Sequence, residues 1–125
     1  MRLLLDTHVV LWHLDGSRTL SPAAREAIEL ATDLLLSVVS FAEIGVKSAI
    51  GKLSVPRDLL DHVLHSGVQV LQLDAGHGLA VADLPLHHRD PFDRLLIAQA
   101  RSENLTMVTA DRRIAAYDVP VIDAG

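Results

Sequence analysis

Five carboxylates stand at recurring places in this sequence. Asp6 ends the apolar run Leu3-Leu4-Leu5, and Glu43 follows the run Leu34 to Val39 within one helical turn. Asp90 and Asp93 flank Pro91-Phe92, and Asp111 follows Leu105 to Thr109. If the apolar runs are strands of one parallel sheet, these acids gather beyond the carboxyl ends of the strands, where open α/β sheets form their functional crevice. Carboxylates that converge on one crevice repel and raise one another's pKa values unless a cation is present. An all-oxygen donor set suits Mg²⁺ or Mn²⁺, which can activate water and offset charge at phosphorus. The chemistry implied is metal-assisted phosphodiester hydrolysis.

Each acid also has a plainer reading. Ser40-x-x-Glu43 has the spacing of a capping box. Asp90-Pro91-x-Asp93 reads as an N-cap followed by an acid favoured in the first helical turn. Asp111 is placed to cap a short helix over Arg112 to Ala116. Asp6 has no such role, because Thr7 is placed to cap the helix that follows. The joint arrangement therefore says more than any one member, and Asp90 carries the weakest claim.

The elements that must position these acids alternate along the chain. Leu3 to Leu5 reads as a strand, with a helix from Thr7 through Leu14 that Asp15-Gly16 ends. Ser21-Pro22 opens a helix to about Ala31. The continuous run Leu34 to Val39 fits a strand covered on both faces, and Ser40 starts a helix ending near Gly51. Leu59, Leu60, Val63 and Leu64 share one helical face, and Gly67 closes that helix before a strand over Val68 to Leu73. A short helix reaches Leu84, Pro85 to Arg89 is a loop, and Asp90-Pro91 begins a helix to about Glu103. Leu105 to Thr109 and Val119 to Ile122 are the last strands, with a short helix between them. Without repeats or linkers, residues 1–125 read as one doubly wound α/β domain with a mostly parallel sheet of about five short strands flanked by helices.

Composition narrows the function. Half of the 125 residues are apolar, enough for one ordinary core. No apolar run approaches the ~20 residues that span a bilayer, and the chain is expected to be soluble and cytoplasmic. Cysteine is absent, so any metal site must use carboxylates, histidines or backbone oxygens. Sixteen acids against eleven Lys and Arg give a net charge of −5, which argues against a passive nucleic-acid binder. Trp12, Phe41, Phe92 and Tyr117 are the only aromatic residues besides histidine, too few for a base-stacking platform.

Several segments carry a more specific likeness. They are Leu3-Leu4-Leu5-Asp6-Thr7-His8 through Trp12, Ser37 to Ile44 with Lys47 and Gly51-Lys52-Leu53, His88-Arg89-Asp90-Pro91-Phe92-Asp93-Arg94 with Ile97 to Ala100, and Val108-Thr109-Ala110-Asp111. In this combination and order the chain resembles the PIN-domain family, specifically the VapC-type toxins of bacterial toxin–antitoxin pairs. The resemblance implies a Mg²⁺- or Mn²⁺-dependent endoribonuclease whose acidic quartet is Asp6, Glu43, Asp93 and Asp111, with Asp90 an additional acid. It also implies RNA as substrate, a VapB-like antitoxin that blocks the site, and a homodimer.

Other polar residues flank these motifs. Thr7, Ser40 and Thr109 could orient a carboxylate through hydrogen bonds, or simply cap helices and turns. Arg89 and Arg94 could meet substrate phosphate or pair with one of the acids. Lys47, Lys52 and Arg57 could extend a basic rim. The adjacent pair His87-His88 and the helical His62 and His65 lack the spacing of a zinc site, and a hydrogen-bonded, partly buried His88 is expected rather than a catalytic base. A phosphoacceptor receiver would need an acidic pair after the first strand and a late lysine, yet Thr7 follows Asp6 and no lysine follows Lys52. A non-catalytic scaffold of the same fold is weakened by the intact acids, whereas a DNA-directed nuclease with the same metal site stays compatible with the motifs.

Overall fold

Residues 1–125 are all described by a computed structural model. Five strands, β1 (Arg2–Leu5), β2 (Asp33–Ser37), β3 (Gln69–Leu71), β4 (Thr106–Thr109) and β5 (Val121–Asp123), form a single sheet in the order β3-β2-β1-β4-β5. Every neighbouring pair is parallel, with Leu4 opposite Leu35 on one side and Met107 on the other. The chain winds outward from β1 through β2 to β3, then crosses to β4 on the other side of β1. The reversal lies between β1 and β4, where such folds open a crevice.

The run of three leucines reads as a strand because both faces are covered. Leu3 and Leu5 enter one core with Val9, Val10, Ala24, Leu36, Ile44 and Val108, while Leu4 enters the other with Leu35, Leu96, Ile97 and Met107. Helices α1 (Thr7–Asp15), α2 (Pro22–Leu30), α3 (Val38–Ala49), α4 (Leu59–His65), α5 (Ala75–Ala80) and α6 (Pro91–Ser102) complete the layers, with short 3₁₀ turns at Val81–Asp83 and Ile114–Ala116. None of them is long and apolar enough to cross a membrane.

Gly16, in the left-handed region at φ 68°, ends α1 as expected, and Ser21 caps α2 ahead of Pro22. Asn104, at φ 55°, makes the turn between α6 and β4. Two expectations give way. The α4 stripe does not all enter the core, for Val63 is buried whereas Leu60 and Leu64 are half exposed. The start of α3 also moves, because Ser37 accepts from the Val39 amide and the helix begins at Val38. Glu43 consequently lies beyond the first turn, and Ser40 is not its cap.

Candidate metal centre

The five acids open onto one cavity of about 720 Å³ at the carboxyl edge of the sheet. Asp6 leaves β1, Glu43 comes from the second turn of α3, Asp90 and Asp93 from the start of α6, and Asp111 from the turn after β4. The remaining lining is cationic or aromatic, with Lys47, Arg89 and Arg113, the imidazoles of His8, His87 and His88, and Trp12 beside Ala110.

Asp6 is 5% exposed. It does have a helix role, contrary to expectation. Its Oδ1 accepts from the His8 amide at 3.2 Å and caps α1, so Thr7 is released from capping. Its Oδ2 accepts from the Thr109 hydroxyl at 2.6 Å, a bond that spans the switch point between β1 and β4. Burial pushes the Asp6 carboxyl above its usual range, against the lowering by Thr109 and the His8 amide, and Glu43 adds repulsion.

Glu43, 2% exposed, is held from two sides. The freed Thr7 hydroxyl donates to Oε1 at 2.7 Å and lies 2.8 Å from the Ser40 hydroxyl. The Lys47 ammonium, one turn along α3, pairs with Oε2, and that bond followed by the nearby Asp90 and Asp93 raises the Lys47 pKa. The capping-box alternative for Glu43 therefore disappears. Its carboxylate is buried at the cavity wall rather than spent on a helix end.

Asp90 does cap α6, its Oδ1 accepting from the amides of Phe92 and Asp93 at 2.8 and 3.1 Å. Asp111 is the most heavily tied of the acids. Its Oδ1 accepts from the Arg113 amide and Nε at 2.9 and 3.1 Å, and its Oδ2 from Arg113 Nη2 at 3.0 Å and His88 Nε2 at 2.9 Å. Burial works against its ionisation, but the Arg113 and His88 donors outweigh that and hold its pKa down at about 2.

Asp93 stands apart. His88 Nε2 comes within 2.9 Å of its Oδ2, but that ring nitrogen is hydrogen-bonded to Asp111, and no other side chain or amide donates to the Asp93 carboxylate. Burial, then the charges of Asp6, Asp90, Glu43 and Asp111, push its pKa up to about 8. A carboxylate with few donors, largely buried and ringed by like charge, is one whose ionised form a divalent cation would stabilise. The donor chemistry agrees, since hard oxygen ligands from four segments face one cavity and suit a divalent cation. The oxygens of Asp93 and Asp111 and the ring nitrogen of His88 lie within 4.8 Å of one another.

Of the flanking candidates, Thr7, Ser40 and Thr109 bind one another or the acids. Arg89 is exposed at the cavity, whereas Lys52 and Arg57 lie outside it. Arg94 is the candidate that the fold takes elsewhere. Its guanidinium is buried and donates to the carbonyls of Val81, Leu84, Pro85 and His88 and to the Tyr117 hydroxyl, at 2.9 to 3.3 Å. It meets neither an acid nor the cavity. Its guanidinium instead ties the segment from Val81 to His88 to the start of α6. Replacing Arg94 with Met would leave the buried Leu84 carbonyl without a donor and remove the charged donor from Val81, Pro85 and His88, which keep only the Leu84 amide or the Tyr117 hydroxyl. Hydrogen bonds to a charged group are worth about 1.5–3 kcal/mol each. Urea denaturation is expected to show a stability loss of about 3 kcal/mol or more, and a loss below about 0.5 kcal/mol would contradict the tether.

Sequence reasoning passed over Arg113 and undervalued Lys47 and His88. Helical i, i+4 spacing from Glu43 was an available signal for Lys47. Nothing local marks Arg113 or the inward turn of His88.

Comparison with known proteins supplies the wider setting. The sequence pattern of the PIN domain matches residues 3–120. Ribonuclease VapC22 of Mycobacterium tuberculosis is 33% identical over 124 residues, covering 94% of this chain and 92% of that protein. Among solved structures, VapBC2 from Rickettsia felis, bound to a DNA fragment from its promoter, superposes with a TM-score of 0.74 at 14% identity over the full length of both chains. DNA-bound VapBC from Salmonella typhimurium gives 0.72 at 19% identity over 98% of each. At those identities the two structures establish the fold, while the pattern match and the mycobacterial relative establish descent: this chain belongs to the PIN-domain family.

Proposed function

We propose that this chain is a divalent-metal-dependent endoribonuclease of the VapC kind, one domain over residues 1–125 that hydrolyses RNA phosphodiester bonds. The observation that carries the reading is Asp93, largely buried among four other carboxylates without a donor of its own. The name of the relative from Mycobacterium tuberculosis supports ribonuclease activity, and the two VapBC complexes support a VapB-like antitoxin as partner. In this reading the chain forms a homodimer and works in the cytoplasm.

Asp6, Asp93 and Asp111 would hold the ion, with Glu43 and Asp90 completing the acidic wall. Mg²⁺ or Mn²⁺, when bound there, offsets the gathered negative charge, activates a water and stabilises charge on the phosphoryl oxygens. Thr109 and the His8 amide orient Asp6, and Thr7 with Lys47 orients Glu43. Lys47, Arg89 and Arg113 face the same cavity and are placed to meet phosphate, which an acidic site would otherwise repel. Arg113 would leave Asp111 to do so, and its largely exposed side chain allows that movement.

The test is incubation of the purified protein with end-labelled RNA and with DNA of the same sequence, with Mg²⁺, with Mn²⁺ and with EDTA. Internal cuts in RNA that need the metal are expected. Cutting of DNA but not RNA, or cutting unaffected by EDTA, would contradict the reading.

A further inference from the structure

His88 belongs to the motif His88-Arg89-Asp90, yet the function above gives it no task. It is 3% exposed, and every polar group it carries is engaged. Its amide donates to the Tyr117 hydroxyl at 2.8 Å, and its carbonyl accepts from Arg94 at 3.3 Å. In the ring, Nδ1 lies 3.2 Å from the Asp90 amide. A backbone N–H can only donate, so Nδ1 is the acceptor and carries no proton. The neutral ring then holds its proton on Nε2, which stands 2.9 Å from Oδ2 of both Asp93 and Asp111.

This tautomer decides between two readings of the same cluster. One nitrogen and two carboxylates within 4.8 Å have the composition of a mixed histidine and carboxylate metal site. Ligation through Nε2 would require its proton to leave or to shift to Nδ1, and the shift would leave the Asp90 amide facing another N–H. That amide is at the cap of α6, two residues along from His88 and three before Asp93. We propose that His88 is a positioning residue that presents an N–H, not a lone pair, to the Asp93 and Asp111 carboxylates, fixing their Oδ2 edges while a hard cation is held by oxygen alone.

The geometry explains how two acids from distant segments keep one spacing. Asp93 rides on α6 and Asp111 on the turn after β4, and no backbone hydrogen bond links those two residues. The imidazole is the one side chain within ion-pairing distance of both carboxylates. It is itself fixed by Asp90 at Nδ1 and by the Arg94 and Tyr117 network at its backbone. Hydrogen-bonding partners of metal-binding carboxylates typically change metal affinity by about 10–100-fold when removed.

The inference rests on the metal reading of the preceding section but not on RNA as the substrate, so its test uses the metal alone. Mn²⁺ is titrated into wild type, His88→Asn and His88→Gln, with free Mn²⁺ followed by electron paramagnetic resonance. The Asn carbonyl can replace Nδ1 as acceptor but brings no donor to the carboxylates, whereas the Gln amide can reach the place of Nε2. The expected result is a Kd raised about 10–100-fold in His88→Asn and within about threefold of wild type in His88→Gln. Equal binding by wild type and His88→Asn, or equal weakening in both variants, would overturn the positioning role. Absence of Mn²⁺ binding in wild type would overturn the metal reading itself. Nitrogen NMR of labelled wild type needs no variant: a protonated Nε2 and unprotonated Nδ1, kept on addition of Mg²⁺, support the proposal. Loss of the Nε2 proton on Mg²⁺ addition would make His88 a ligand and overturn it.

Discussion

Asp93→Asn is expected to cut RNA at least about 10³-fold more slowly than wild type in Mg²⁺, and yet to melt at a higher temperature when metal is absent. The first effect follows from removing a carboxylate from the proposed ion site, where charge stabilisation is worth several kcal/mol and about 4 kcal/mol corresponds to 10³ in rate. The second follows from the same carboxylate's surroundings. Asp93 is repelled by Asp6, Asp90, Glu43 and Asp111 and accepts no side-chain hydrogen bond except whatever His88 shares with it. Asn has nearly the same shape, opens no cavity and is neutral both folded and unfolded, so it escapes the cost of protonating Asp93 that burial and the neighbouring charges impose on folding at neutral pH. Activity and metal-free stability therefore move in opposite directions, the pattern of a site strained for function. Activity assays and thermal melts in EDTA measure the two. A variant that lost activity and stability together would point to a structural role for Asp93.

The second large effect is on pH dependence. Metal-free wild type is expected to lose stability as pH rises from about 4 to about 8. Asp93 is pushed up to about 8 in the folded chain against an ordinary value of 3.8, so between those limits the folded chain binds more protons than the unfolded one. Stability then falls with pH, by about 1.4 kcal/mol for each unit that separates the two values, reaching several kcal/mol across the window. Asp6, also raised, contributes in the same direction. Asp111 has the opposite sign, but its window lies below 3.8, where stability is lost as pH falls towards 2. Urea denaturation at pH 5, 6, 7 and 8 in EDTA should show a falling midpoint, and Mg²⁺ should flatten the decline by favouring the ionised cluster. A midpoint that is flat or rises in EDTA would contradict the repulsion on which the site is argued.

What could be read from the residues, and what could not, divides along physical lines. Leu3 to Leu5 and Leu34 to Leu36 are apolar without alternation because they are covered on both faces, so the parallel sheet and the edge at which acids gather were legible. The expected strand Leu34 to Val39 shortened to Asp33–Ser37 because Ser37, rather than Ser40, supplies the cap. That shift of three residues changes the meaning of Glu43, from a helix-end acid to a buried one held by Thr7 and Lys47. Asp6 shows the converse, a cap that local pattern assigned to its neighbour. Arg94 was misplaced for a different reason. Its partners are carbonyls between Val81 and His88, and no local pattern shows a loop wrapping under a helix terminus. His88 was expected to be partly buried and hydrogen-bonded, but its contact with both Asp93 and Asp111 exists only once the 85–88 loop is tied down.

The most direct test of the account is the thermal shift produced by Mg²⁺ in wild type and in Asp6→Asn at neutral pH. Asp6 joins β1 to β4 through Thr109 and faces the cavity shared by the other acids, so loss of its charge weakens the cluster with little change in volume. The expected result is a saturable rise in melting temperature for wild type and a much smaller one for the variant. Equal Mg²⁺ stabilisation of both proteins would contradict a shared carboxylate site for the ion.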